Sequence, residues 1–167
     1  MLFRSIKFYE SLGLEIFDYQ MLPFQGVSIR LYFGHKGVHP VSPRVKELAD
    51  EELAKGWDKV ETYHALAKDV EKSRDTLVTL LKDLKAQGKK IAAYGAAAKG
   101  VPILCYGGIT NEIIDFCVDG LPQKQGLCMP MSHIPIISPE EARTRDVDYY
   151  LLLAWSFREH KIGRAHV

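Results

Sequence analysis

Lys90-Ile-Ala-Ala-Tyr-Gly95-Ala-Ala-Ala-Lys-Gly100 changes character half-way along. The apolar run 91–94 ends abruptly in small residues, and a lysine follows between Ala98 and Gly100. This is the pattern of a buried strand running into a turn that opens a helix. Free backbone N–H groups and the helix dipole at such a turn favour an anion, usually a phosphate. The stretch is neither G-x-G-x-x-G nor a P-loop, so a second reading stays open, in which small residues only permit close strand–helix packing.

Downstream, the pattern continues as strands alternating with short helices. Residues 91–94, 115–118, 134–137 and 149–154 are near-continuous apolar runs, as expected of parallel strands covered on both faces. Helices are predicted over 99–106, with Pro102 tolerable only in a first turn, and over 139–144. The second carries a capping box: Ser138 as N-cap, Pro139 at N1 and Glu141 at N3. Ligands of such sheets sit beyond the carboxyl ends of the strands.

Upstream, Phe3, Ile6, Tyr9 and Leu12 recur at helical spacing, with Gly13 where a C-terminal cap belongs. A strand over 14–18, a turn over 22–26 and a strand over 27–33 predict a hairpin. In its second arm Val27, Ile29, Leu31 and Phe33 form the buried side. Residues 34–43 read as a linker leading to a helix capped by Ser42 with Pro43 in its first turn. After a break at Gly56, a helical period runs from Val60 to Leu84 and ends at Gly88. It suits a long connecting helix packed across a domain.

The 167 residues correspond to about one domain, and 47% hydrophobic content suffices for a core. A net charge of +1 gives no general attraction to nucleic acid or anionic membrane. No apolar run approaches the roughly 20 residues of a membrane span. Cys105, Cys117 and Cys128 form neither a disulfide framework nor a metal pair, so free thiols in a reducing cytoplasm are expected. Residues 162–167, including His166, have the look of an adapter-encoded tail, and the chain is expected to be a fragment open at both ends.

The candidate site residues fall around the strand ends. Gly95, Ala96, Ala97 and Gly100 would supply backbone donors to a phosphate, and Lys99 a charge. Asp119 is placed like the acid that holds a ribose hydroxyl, or else begins a turn; Lys124 could meet a second phosphate. His133, between Pro130 and Pro135, is either a ligand or base, or a histidine that fixes its turn. Asp115 and Asp119 make an acid–base pair only if they converge. No metal site is expected, because no His or Cys stands at ligand spacing. Trp155 and Phe157 are expected in the core or at a domain interface.

Ala92 to Gly100, Asp119 with Pro122-Gln-Lys-Gln-Gly126, Pro130-Met-Ser-His-Ile-Pro-Ile136 and Asp148-Tyr-Tyr-Leu-Leu-Leu-Ala-Trp155 together resemble the C-terminal domain of the S-adenosylmethionine-dependent C-methyltransferases. These include the sugar C-3 methyltransferases that act on dTDP-linked keto-sugars. Gly13-Leu-Glu-Ile-Phe-Asp18 and Pro40-Val-Ser-Pro43 match as well, so the resemblance covers about residues 3 to 161. It implies a small Rossmann-like α/β domain over 89–161 that helps hold a nucleotide-linked sugar, a helical connector over 36–88, and the last helix and hairpin of the methyltransferase domain over 1–35. The family's zinc cysteines, cofactor loop and catalytic residues would lie upstream, in domains that are partners of this one. S-adenosylmethionine and zinc are therefore implied for the full-length enzyme and neither for this chain alone, which is expected to be inactive. The implied chemistry is deprotonation next to a ketone, followed by methyl transfer to that carbon. Departures occur at Val27, Pro102, Met131 and Ser156, where the family tends to have Gly, Thr, Gly and Asn; they bear on the substrate more than on the fold.

Overall fold

The computed structural model describes residues 1–23 and 27–158 and divides into two compact units, Met1–Lys68 and Asp69–Val167. Residues 24–26 of the expected turn, the 162–167 tail and His166 lie outside the described residues.

The first unit is built from helix α1 (Leu2–Ser11), strands β1 (Leu14–Leu22) and β2 (Ser28–His35), and helix α2 (Pro43–Ala54). Gly13 takes φ +73°, the left-handed conformation that lets the chain leave α1 and enter β1 directly. β1 and β2 pair antiparallel, with a register shift between Ile16 and Asp18. A small core of Leu2, Ile16 and Val45 joins helix, hairpin and helix. Buried Glu52 on α2 caps α1 from outside: its carboxylate accepts the Leu2 and Phe3 N–H groups, each at 2.9 Å. Ser42 is the N-cap of α2 by position, with Pro43 in the first turn, but its hydroxyl makes no cap bond.

The expected burial of β2 is overturned in part. Only Leu31 is half-buried, while Val27 just before the strand and Phe33 within it are 71% and 46% exposed. A two-stranded ribbon has one covered face at most, and here α1 and α2 reach only its middle; Phe33 still stacks on Tyr9 at 4.3 Å.

Helix α3 (Val60–Ala86) runs into the second unit, about 40 Å in all. There Leu77, Leu81 and Leu84 pack on the core, whereas Val60, Leu66 and Val70 of the earlier turns are exposed. The second unit continues with β3 (Ile91–Tyr94), α4 (Gly100–Gly107), β4 (Cys117–Val118), β5 (Ile136–Ile137), α5 (Pro139–Ala142) and β6 (Tyr149–Leu152). All neighbouring strands are parallel, in the order β5-β4-β3-β6. Ile91 and Ala93 face a core with Leu104 of α4 and Leu81 of α3. Ala92 faces the opposite core with Val118, Ile137 and Ala142 of α5. Both faces are thus covered, which is why these strands read as unbroken apolar runs. Helices on opposite faces are what right-handed crossovers require when the chain passes from β3 outward to β5 and then returns to the other side of β3.

β4, β5 and β6 are all shorter than expected, β6 ending at Leu152 rather than at residue 154. The left-handed His133 (φ +56°) and the closure of Met129 N–H on the Ile134 carbonyl precede β5, and Pro135 forms an isolated antiparallel bridge with Cys128 instead of joining the strand. Ahead of β4, Asp115 still donates its backbone N–H to the Ile91 carbonyl at 2.9 Å, while its carboxylate meets Lys85 of α3 at 2.7 Å. The Ser138 hydroxyl accepts the Glu141 N–H at 3.0 Å, so the first half of the expected capping box forms.

Candidate functional site

The strand order reverses between β3 and β6, and a crevice in such a sheet opens beyond the carboxyl ends of the two strands where this happens. Two segments meet there: the turn from Gly95 to Gly100 after β3, and Leu153 to Phe157 after β6, the last three in a 3₁₀ turn. Their backbones approach so closely that a Cβ on Gly95 would stand 2.6 Å from that of Ala154, and one on Gly100 2.7 Å from that of Leu153. Gly95 also has φ +85°. The packing reading of these two glycines therefore holds, and it places the turn against β6.

Most of the turn's backbone donors are spent internally. Gly95 N–H donates to the Val118 carbonyl at 2.7 Å, Ala97 N–H to that of Gly95 at 2.8 Å, and Gly100 N–H to that of Ala97 at 2.9 Å. Ala96 N–H donates to Asp119 Oδ2 at 2.7 Å. Asp119, with its side chain 12% exposed, also accepts the Leu121 N–H at 2.9 Å, and its Oδ2 stands 3.4 Å from the Lys124 ammonium. Lys124 Nζ in turn donates to the Ala96 carbonyl at 2.7 Å. Ala96, Asp119 and Lys124 are thus brought together as a clamp that ties the β3 turn to the β4 turn. A partly buried carboxylate with charge-assisted partners on both oxygens fixes loop geometry.

Lys99 is the exposed charge of the turn, its ammonium 5.7 Å from the centre of the Trp155 ring. Trp155 is 47% exposed, so of the two places expected of it, core or domain interface, the core is excluded. The hint available in the sequence was its place immediately beyond the last strand; what was missing was that β6 neighbours β3. The side chain of Phe157 lies outside what is described.

His133 is not at this end of the sheet. It precedes β5, at the amino ends of the strands, and Asn111 N–H donates to the neighbouring Ser132 carbonyl at 3.1 Å, upstream of β4. Its exposed side chain stands on a turn whose backbone it helps to close, donating its N–H to the Met129 carbonyl at 3.2 Å. Asp115 and Asp119 do not converge, each having its own lysine. The three cysteines are unpaired, and burial pushes the Cys117 thiol up to about 12, with Asp119 adding to the shift. Among the described residues no cluster of three His, Cys, Asp or Glu side chains could hold a metal ion, and no helix is long and apolar enough to cross a membrane.

Residues 23–166 match the family model described as C-methyltransferase C-terminal domain. The chain belongs to that family. The C-methyltransferase C-terminal domain accounts for the parallel sheet and its two crossover helices, which all fall within the matched residues. Similarity also extends to the C-methyltransferase NovU of Streptomyces niveus, with 38% identity over 150 residues. That alignment takes in 89% of this chain and 36% of the relative, so the chain spans about a third of the relative's length.

Proposed function

We propose that this chain is the substrate-binding part of an S-adenosylmethionine-dependent C-methyltransferase that acts on a nucleotide-linked keto-sugar, a dTDP-sugar by resemblance. The observation that carries the reading is the strand-order reversal between β3 and β6, with the Lys99 cation on the turn that leaves β3 there. A dianionic diphosphate needs a cation at a mouth whose walls do not move, and Lys99 is the group suited to it. Asp119 and Lys124 then act at one remove. They hold the turn that carries Lys99, so their proposed role shifts from touching the nucleoside to positioning. His133 stands apart from this cleft and takes no part in the reading.

The methyl donor supplies an electrophilic methyl group, and the base that takes the proton next to the ketone belongs to the remaining two-thirds of a protein of the relative's length. Zinc likewise finds no ligand set among the described residues. This chain binds and orients substrate, then, and by itself transfers no methyl group. The test is Lys99→Ala in the full-length enzyme. Michaelis constant and affinity for the nucleotide-sugar should worsen about tenfold, as for the loss of a charge-assisted bond, with the affinity for S-adenosylmethionine unchanged. Unchanged affinity for the nucleotide-sugar would sink the assignment.

A further inference from the structure

We infer that Trp155 is the platform on which the base of the nucleoside diphosphate stacks, and that Lys99 and Trp155 act as one recognition unit. The inference rests on the reading above and adds a residue and a contact to it. A tryptophan that is 47% exposed leaves much apolar ring in water, immediately beyond the carboxyl end of β6. The Lys99 ammonium lies over this ring, 5.7 Å from its centre, so the ring offers a face rather than an edge to the turn. A face that receives a cation on a flexible four-carbon stem also receives a planar base.

The supports are rigid. Trp155 follows Ala154, whose Cβ leaves no room for a side chain at position 95. Lys99 precedes Gly100, packed in the same manner against Leu153. The clamp of Ala96, Asp119 and Lys124 fixes the turn from its other side. A planar apolar face and a cation therefore project from two backbones in close contact, one for each half of a nucleoside diphosphate. On binding, Lys99 leaves the ring for the diphosphate and the base takes its place.

The chain contains two tryptophans, Trp57 and Trp155, so Trp57→Phe leaves Trp155 as the single tryptophan, excited selectively over the tyrosines at the red edge of absorption. Titration with thymidine 5′-diphosphate should quench its emission saturably, whereas inorganic pyrophosphate should not. In calorimetry Trp155→Ala should weaken thymidine diphosphate about tenfold or more, and Trp155→Phe by less than about threefold, because base–aromatic stacking tolerates a change of ring. Lys99→Met should weaken thymidine diphosphate and leave the weak binding of thymidine as it is. If Lys99→Met loses affinity while Trp155→Ala binds as tightly as the parent, the nucleotide site stands and the platform falls. If the parent chain binds neither thymidine nor uridine diphosphate, both fall. Quenching in the Trp57→Phe chain decides the matter even if Trp155→Ala does not fold.

Discussion

Gly95 shows how much one residue decides here. Its φ of +85° and the 2.6 Å approach to Ala154 Cβ are independent demands, and only glycine meets both. Gly95→Ala should therefore lose about 3 kcal/mol, from left-handed strain together with overpacking, measured by urea unfolding. Gly88→Ala is the matching control. It has φ +76° but open space around its Cβ, so it should cost only about 1 kcal/mol. Equal losses would show that the approach to β6 matters less than the distance implies. Met131 is the reverse case: a non-glycine at φ +60°, with its side chain 79% exposed, it carries strain with little packing to offset it. Met131→Gly, which restores the residue the family tends to have, should raise the urea midpoint by about 0.5–1 kcal/mol equivalent. The glycines of the β3 turn were legible as small residues, and packing was one of two open readings. Which of them touched β6 was not legible, because that contact joins residues more than fifty positions apart and depends on strand order.

At the scale of elements, a run that is apolar throughout gives away a strand covered on both faces, and β3 emerges with its expected bounds. β5 is shorter than its apolar run because the residues before it are claimed by partners that no local pattern reveals: Met129 bonds the Ile134 carbonyl and Cys128 bridges Pro135. The entry to the sheet has its own clamp. Asp148, just before β6, accepts the Lys90 backbone N–H at 2.8 Å and meets the Lys89 ammonium at 3.3 Å. The backbone bond first, and Lys89 second, hold its carboxyl below the usual aspartate range. A carboxylate whose pKa is lower folded than unfolded stabilises the fold above the unfolded value of about 3.9 and loses that contribution as pH falls through the folded one. Asp148→Asn should thus lower the melting temperature at neutral pH and close the gap to the parent as the pH falls well below the unfolded value of about 3.9. A gap that stays constant over that fall would show that the side chain acts by shape alone. The melts need low salt, since the group is solvent-exposed and screened otherwise.

Across the whole molecule, what the sequence conveyed about the candidate site was its address, at the carboxyl ends of a parallel sheet, and what it withheld was the strand order that sets which strand ends stand side by side. The β5-β4-β3-β6 order brings Trp155 beside Lys99 and leaves His133 at the other end. The first unit poses a different problem. Met21, Val27 and Ile29 of the hairpin, and Phe8 and Leu12 of α1, are large, apolar and exposed. Among the described residues the two-stranded sheet has no third strand beside it, and a ribbon this exposed offers its unpaired edges and apolar surface to other copies. Val27 and Ile29 take no part in the small core of this unit, so charging them costs no packing there. The double variant Val27→Lys, Ile29→Lys should raise the solubility limit and lower the binding of an apolar fluorescent dye, with the urea midpoint moved by no more than about 0.5 kcal/mol equivalent. Dye binding that persists in the double variant would move the adhesive surface to the exposed early turns of α3, where Leu66 and Val70 are the next residues to change.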